Sequence, residues 1–194
     1  MSEIDRMDPG QESQPWSIHR VGVVGMGLIG GSIALDLTQQ GVEVQGLVHR
    51  EVTAERARSR GLAPLVSTDP SCLQDCDLVI LALPLESLLT PEESLLNALP
   101  EHAVVTDVGS VKAEVLAVWR DLHPRFVGSH PMAGTAQAGV DAGLTGLFCG
   151  RPWVSTPESS TDASALAVIQ QLADRLGSHW LTADAARHDQ AVAL

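Results

Sequence analysis

The sequence is short of positive charge: 12 Lys and Arg stand against 24 Asp and Glu in 194 residues, a formal net charge of −12. Phosphate backbones are held by clustered Lys and Arg, so this balance argues against a nucleic-acid surface. Cysteine is scarce as well. Cys72, Cys76 and Cys149 make no even disulfide set and no CxxC pair. Cys72 and Cys76 would share one helix face, but no His or Cys partner lies near them in sequence. The reading is therefore reduced, buried thiols in a cytoplasmic protein, with no metal. Long apolar runs are missing too. The longest, residues 78–85, falls far short of the ~20 residues a membrane helix requires. The acidic start, residues 1–16, has neither a basic segment nor an apolar core, which excludes a signal peptide and predicts a short disordered tail. Aromatic residues are only 3% of the chain, and the scattered Trp16, Trp119, Trp153 and Trp180 are expected to pack on core or helix faces.

Against these absences stands one concentrated signal. The apolar run Val21-Gly22-Val23-Val24 feeds the triplet Gly25, Gly27 and Gly30, which opens a helical pattern. In a dinucleotide site each glycine does something different. The first makes the tight turn, and the second lets backbone approach a pyrophosphate. The third lets the helix pack on the strand. The helix start, with Leu28 and Ile29, then offers unpaired N–H groups and a positive dipole end. The context supports this, because Ile29, Ile33 and Leu37 share a face and Gly41 stands where a C-terminal cap belongs.

Downstream, strand and helix patterns alternate. Strands are expected at 43–48, 64–67, 77–83, 103–107, 125–128, 153–155 and 179–181. Helices are expected at 52–60, at 86–99 with a break at Pro91, at 111–122, between Leu166 and Leu176, and from Asp184 onward. The alternation predicts an α/β fold, a doubly wound Rossmann-type parallel sheet with helices on both faces. That domain is placed at residues 17–183. The last helix, residues 184–194, reaches Leu194 with no Gly, Asn or Pro to stop it, so the sequence reads as the N-terminal part of a longer protein.

The tip of the second strand meets the adenosine ribose in this architecture. Here it reads His49-Arg50-Glu51. Arg50 is a fixed positive fork suited to a 2′-phosphate, and His49 is neutral or positive, which favours NADP; Glu51 doing the ribose work would instead allow NAD.

Two further segments follow strand ends, where ligands sit in open α/β sheets: Asp107-Val108-Gly109-Ser110-Val111-Lys112 and Gly128-Ser129-His130-Pro131-Met132-Ala133-Gly134-Thr135. A histidine in such a loop suits proton chemistry, although spacing alone leaves open a purely structural His130. Together with the glycine turn and His188-Asp189-Gln190-Ala191-Val192-Ala193, these motifs resemble the prephenate/arogenate dehydrogenase family from about Val21 to the last residue.

The resemblance implies an oxidative decarboxylation with a nicotinamide cofactor. His130 inherits the acid–base role on the ring hydroxyl, and Ser110 the hydrogen bond to that hydroxyl or to the histidine. Thr135 and His188 are assigned with them to the small-molecule substrate. The family continues into a helical domain that makes the homodimer and supplies an arginine to a substrate carboxylate; that domain is absent from this sequence. Prephenate-using relatives often carry a Glu soon after the His-Pro segment, where this chain has Ala136 and Gln137. With the tip at Arg50, this resembles the arogenate-preferring, NADP-dependent branch. Two other readings share the glycine turn: a β-hydroxyacid dehydrogenase or imine reductase, and a non-catalytic NADP-binding module. The His130-Pro131-Met132 segment speaks against the first, and cofactor binding without turnover would indicate the second.

Overall fold

The computed structural model describes residues 16–193. Nearly all of the expected acidic tail, and Leu194, lie outside the described residues. Trp16 corrects the tail boundary. Its indole is half-buried against the core and sits under the Arg175 guanidinium, 4.9 Å from the ring centroid, so it belongs to the folded domain. A surface this large gains by leaving water, and the ring face adds an attraction for the cation.

Six parallel strands form the main sheet: β1 (Arg20–Val24), β2 (Glu43–Leu47), β3 (Leu65–Ser67), β4 (Leu78–Leu81), β5 (Val104–Asp107) and β6 (Phe126–Val127). Their order is β3-β2-β1-β4-β5-β6, so the chain reverses direction across the sheet between β1 and β4. The apolar run in β4 explains its central place. Leu78 and Ile80 point into one core cluster and Val79 and Leu81 into the other, all four fully buried. Each such side chain contributes about 1.5–3 kcal/mol by leaving water. One cluster is capped by α1 (Leu28–Gln39), α2 (Glu51–Ser59) and α6 (Ala163–Arg175), through Ile33, Leu37, Ala54, Ala57, Ile169 and Leu172. The other is capped by α3 (Leu85–Leu89), α4 (Glu93–Ala98) and α5 (Ala113–Leu122), through Leu88, Leu95, Val115 and Trp119. The expected long helix over 86–99 is thus two short ones, separated around Pro91. Proline there lacks the N–H that would continue a helical ladder.

The expectation of one parallel sheet needs correction at its far edge. A second sheet, ordered β7-β8-β9, is built from β7 (Ser129–Pro131), β8 (Pro152–Ser155) and β9 (His179–Thr182). β7 runs antiparallel to β8, pairing His130 with Val154 and Pro131 with Trp153. The His130 segment is therefore a strand and not a loop. The chain leaves β6 for β7 at Gly128, where a Cβ would stand 2.8 Å from Thr156 Oγ1. Pro131 has no N–H to give, and β7 is an edge strand, where that costs nothing. The remaining helix, α7 (Ala185–Val192), begins at Asp184, whose side chain accepts from the Arg187 N–H.

Candidate cofactor cleft and histidine site

The glycine triplet sits at the C-terminal end of β1, and its members meet different surroundings. Gly25 has φ +90°, and a Cβ there would lie 2.3 Å from the Ala82 carbonyl oxygen. At Gly30 a Cβ would fall 1.9 Å from the Gly25 carbonyl oxygen and 2.8 Å from Ala82 Cβ. These two let the turn close and α1 pack against the sheet. Gly27, the N-cap of α1, has nothing within 4 Å of its Cβ position. No packing within the chain requires glycine there, so its smallness faces an open space beside the helix N-terminus.

That space belongs to a cleft of about 1220 Å³ lined by Gly25, Gly27, Leu28, Ile29 and Gly30 and, at its other end, by His49 and Arg50. His49 and Arg50 are exposed, and neither makes an ion pair among the described residues. Glu51 is committed elsewhere, 2.5 Å from Arg58 Nη2. Residues 137–141 close one side of the cleft. The segment that contains them is pinned to α1 and to the end of α2. Arg60 donates to the carbonyls of Val140 (2.7 Å) and Gly143 (3.0 Å), Arg56 pairs with Asp141 (2.7 Å), and Asp36 accepts from the Gly146 N–H (3.0 Å). Burial raises the Asp36 carboxyl above its ordinary range, opposed by that hydrogen bond.

Around His130 the structure builds a second constellation. Its Nδ1 lies 3.0 Å from His188 Nε2, the two rings meeting edge-on. His188, 4% exposed, has its Nδ1 2.9 Å from Asp189 Oδ1. The Asp189 carboxylate also accepts the N–H groups of Lys112 (2.8 Å) and Ala113 (2.9 Å), docking α7 onto the start of α5. Burial works against the Asp189 charge, but these hydrogen bonds and His188 together hold its carboxyl below the usual range. Burial pushes His130 down to about 4, helped by His188 and Lys112 and opposed by Asp189, so its imidazole is neutral at physiological pH.

Beneath this pair lies the chain's only lysine. Lys112 Nζ is fully buried, hydrogen-bonded and ion-paired to Asp107 and 2.8 Å from the Ser129 carbonyl oxygen. Burial lowers the Lys112 ammonium and raises the Asp107 carboxyl, each opposed by its partner. Ser129 Oγ donates to the Asp107 carbonyl at 3.0 Å. The network ties β7 to the end of β5 and so fixes the backbone that carries His130.

The structure does not bring all the expected site residues together. Ser110 is exposed on the loop after β5 and makes no hydrogen bond among the described residues; His130 Nδ1 is engaged by His188. Thr135 is exposed, its hydroxyl accepting the Gln137 N–H at 3.2 Å. Sequence reasoning gave no role to Asp189, Asp107 or the Arg60 anchor. An available signal was the solitary lysine directly beyond a buried strand end. Among the described residues no cluster of His, Cys, Asp or Glu is arranged to hold a metal ion, and no helix is long and apolar enough to cross a membrane. Of the three thiols expected to be buried, Cys76 is, its thiol pushed up to about 12, first by burial; Cys72 is half-buried and Cys149 is exposed.

Residues 33–182 match the family model described as "Prephenate dehydrogenase, nucleotide-binding domain". The chain belongs to the prephenate dehydrogenase family. A curated member, the cyclohexadienyl dehydrogenase of Zymomonas mobilis, is 32% identical over 90% of this chain and 61% of its own length. Two solved structures of the family superpose with a TM-score of 0.85. One is Synechocystis arogenate dehydrogenase, 38% identical over 90% of this chain and 63% of that one. The other is prephenate dehydrogenase from A. aeolicus in complex with hydroxyphenyl propionate and NAD+, 29% identical over 92% of this chain and 64% of that one. The chain thus spans less than two thirds of these family members.

Proposed function

We propose that this chain supplies the cofactor cleft and the proton acceptor of an NADP-dependent arogenate dehydrogenase, which converts arogenate to tyrosine. The observation that carries the reading is His130: a neutral imidazole, held by a second histidine, on the strand that follows the last strand of the main sheet. The glycine turn fits a dinucleotide, because Gly27 leaves its Cβ position open where Gly25 and Gly30 do not. Gly25, Gly27 and Gly30, with the N-terminal N–H groups of α1, would hold its pyrophosphate. Arg50 and His49 would meet the adenosine end, and Arg50 is free to pair with a 2′-phosphate while Glu51 is occupied by Arg58.

When bound, the nicotinamide supplies a hydride acceptor. His130 takes the proton of the ring hydroxyl as hydride leaves the same carbon. The ring carboxylate departs as CO2, its bonding electrons completing the aromatic ring, and the proton returns to the product's phenolic oxygen. Ser110, on the loop after β5, orients the hydroxyl, and Thr135 lies on the substrate side; His188, expected there too, is buried with both ring nitrogens engaged and so acts on the substrate only through His130. Arogenate in place of prephenate is supported by Ala136 and Gln137 after Thr135 and by the likeness to the Synechocystis arogenate dehydrogenase. A homodimer and a cytoplasmic location belong to the same proposal.

His130→Asn in the gene's full-length product tests it. NADPH affinity should be kept while turnover of arogenate falls by about two to four orders of magnitude, the range for a lost acid–base group. The wild-type rate should hold down to pH 5 and fall with an ionisation at about 4, since protonating His130 removes the acceptor. A variant that keeps most of its turnover and the same acid limb refutes the assignment. NADP binding without turnover of arogenate or prephenate would leave a cofactor-binding module.

A further inference from the structure

The hydrogen bonds behind His130 determine which of its nitrogens carries the proton. An ionised carboxylate only accepts, so Asp189 Oδ1, 2.9 Å from His188 Nδ1, places a proton on that nitrogen. With that single proton on Nδ1, His188 presents Nε2 as an acceptor. That atom lies 3.0 Å from His130 Nδ1, which is then the donor. His130 Nε2 is left with a bare lone pair.

We infer that Asp189 and His188 are positioning residues that hold His130 as its Nδ1–H tautomer, with Nε2 bare to accept a proton. The purpose rests on the function proposed above; the tautomer is a property of the chain itself.

Asp189 is well placed to set this tautomer, because both its oxygens are fixed by the backbone N–H groups of Lys112 and Ala113 at the start of α5. It cannot turn away without uncapping that helix. The charged groups acting on His130 are Asp189 from α7 and Lys112 at the start of α5. When His130 takes a substrate proton, its Nδ1–H lies against His188, and Asp189 stands behind to stabilise the positive charge.

Imidazole nitrogen shifts of the 15N-labelled protein decide the point. Long-range proton–nitrogen correlation at pH 7.5, with His130 assigned by the spectrum of His130→Asn, should show His130 protonated on Nδ1 and bare on Nε2. A wild-type His130 protonated on Nε2 overturns the inference. Asp189→Asn keeps an oxygen for the α5 cap but presents an amide that can donate to His188 Nδ1. It should move the His130 proton to Nε2 and lower kcat for arogenate tenfold or more in the full-length product, with KM and NADPH affinity held. An Asp189→Asn protein with an unchanged His130 tautomer and unchanged kcat overturns the role of Asp189. Should that variant fail to fold, the wild-type spectrum still decides. A protein with the Nδ1–H tautomer but no arogenate turnover would keep this inference and remove the proposed reaction.

Discussion

Gly27 and Gly30, three positions apart in one turn, should respond to the same substitution in opposite ways. Gly30→Ala puts a Cβ 1.9 Å from the Gly25 carbonyl oxygen and 2.8 Å from Ala82 Cβ. The first contact is with backbone, which cannot rotate away, so α1 must lift from the end of β1. Overpacking of this kind costs about 1–3 kcal/mol, and the rigid partner argues for the upper end; alanine's better helix propensity returns about 1 kcal/mol. The net loss is about 2 kcal/mol, or a Tm lower by about 4–8 °C for a chain of this size. Gly27→Ala meets nothing within 4 Å and sits at φ −77°, which alanine adopts freely. Its cost is the small preference of an N-cap for glycine over alanine, below about 1 kcal/mol. Dinucleotide binding reverses the order. The added methyl at residue 27 occupies the space the pyrophosphate needs, and NADPH affinity should drop at least tenfold, about 1.4 kcal/mol. Thermal melting by circular dichroism and NADPH fluorescence titration read the two effects separately. Wild-type affinity in Gly27→Ala would refute the use of that space, and wild-type stability in Gly30→Ala would refute the close-approach argument.

The buried ion pair and the strand tip give the remaining expectations. Lys112→Met should destabilise by about 3–5 kcal/mol in urea unfolding, because it strips the buried Asp107 carboxyl of its counter-charge; adding Asp107→Asn should recover part of the loss, and two purely additive costs would show that the groups are not coupled. Converting His49 to Asp and Arg50 to Ala removes a phosphate partner and adds a ribose acceptor, so the NADP/NAD affinity ratio should fall tenfold or more, a charge-assisted contact being worth about 1.5–3 kcal/mol. A ratio that stays put means the tip does not read the 2′ position.

The main sheet was legible because its strands announce themselves chemically. Residues 78–81 are apolar without alternation, as a strand covered on both faces must be, and Gly25, Gly41, Gly61 and Gly177 mark turns that the structure places at positive φ. Two strands of the second sheet, at 153–155 and 179–181, were legible too; β7 and the separation into a second sheet were not. β7 has three residues, one of them proline, and its pairing with β8 spans a long excursion through residues 132–151 that carries no period. The histidine site divides in the same way. His130 could be singled out from its neighbours in sequence, but its partner lies 58 residues away on another element. Nothing local in the sequence makes His188 face inward on α7, a helix that is mostly exposed. Asp189 carries even less signal, since an acidic residue on a polar helix reads as solvated until the start of α5 is seen to rest against it.

The solitary lysine also bears on how this protein meets reagents. With Lys112 Nζ wholly enclosed between Asp107 and the Ser129 carbonyl, the folded surface offers no side-chain primary amine among the described residues. Amine-directed acylation or cross-linking therefore finds no lysine to attack while the domain is closed. Modification at Lys112 requires the junction between the two sheets to open, so its rate clocks the opening of the strand that presents His130.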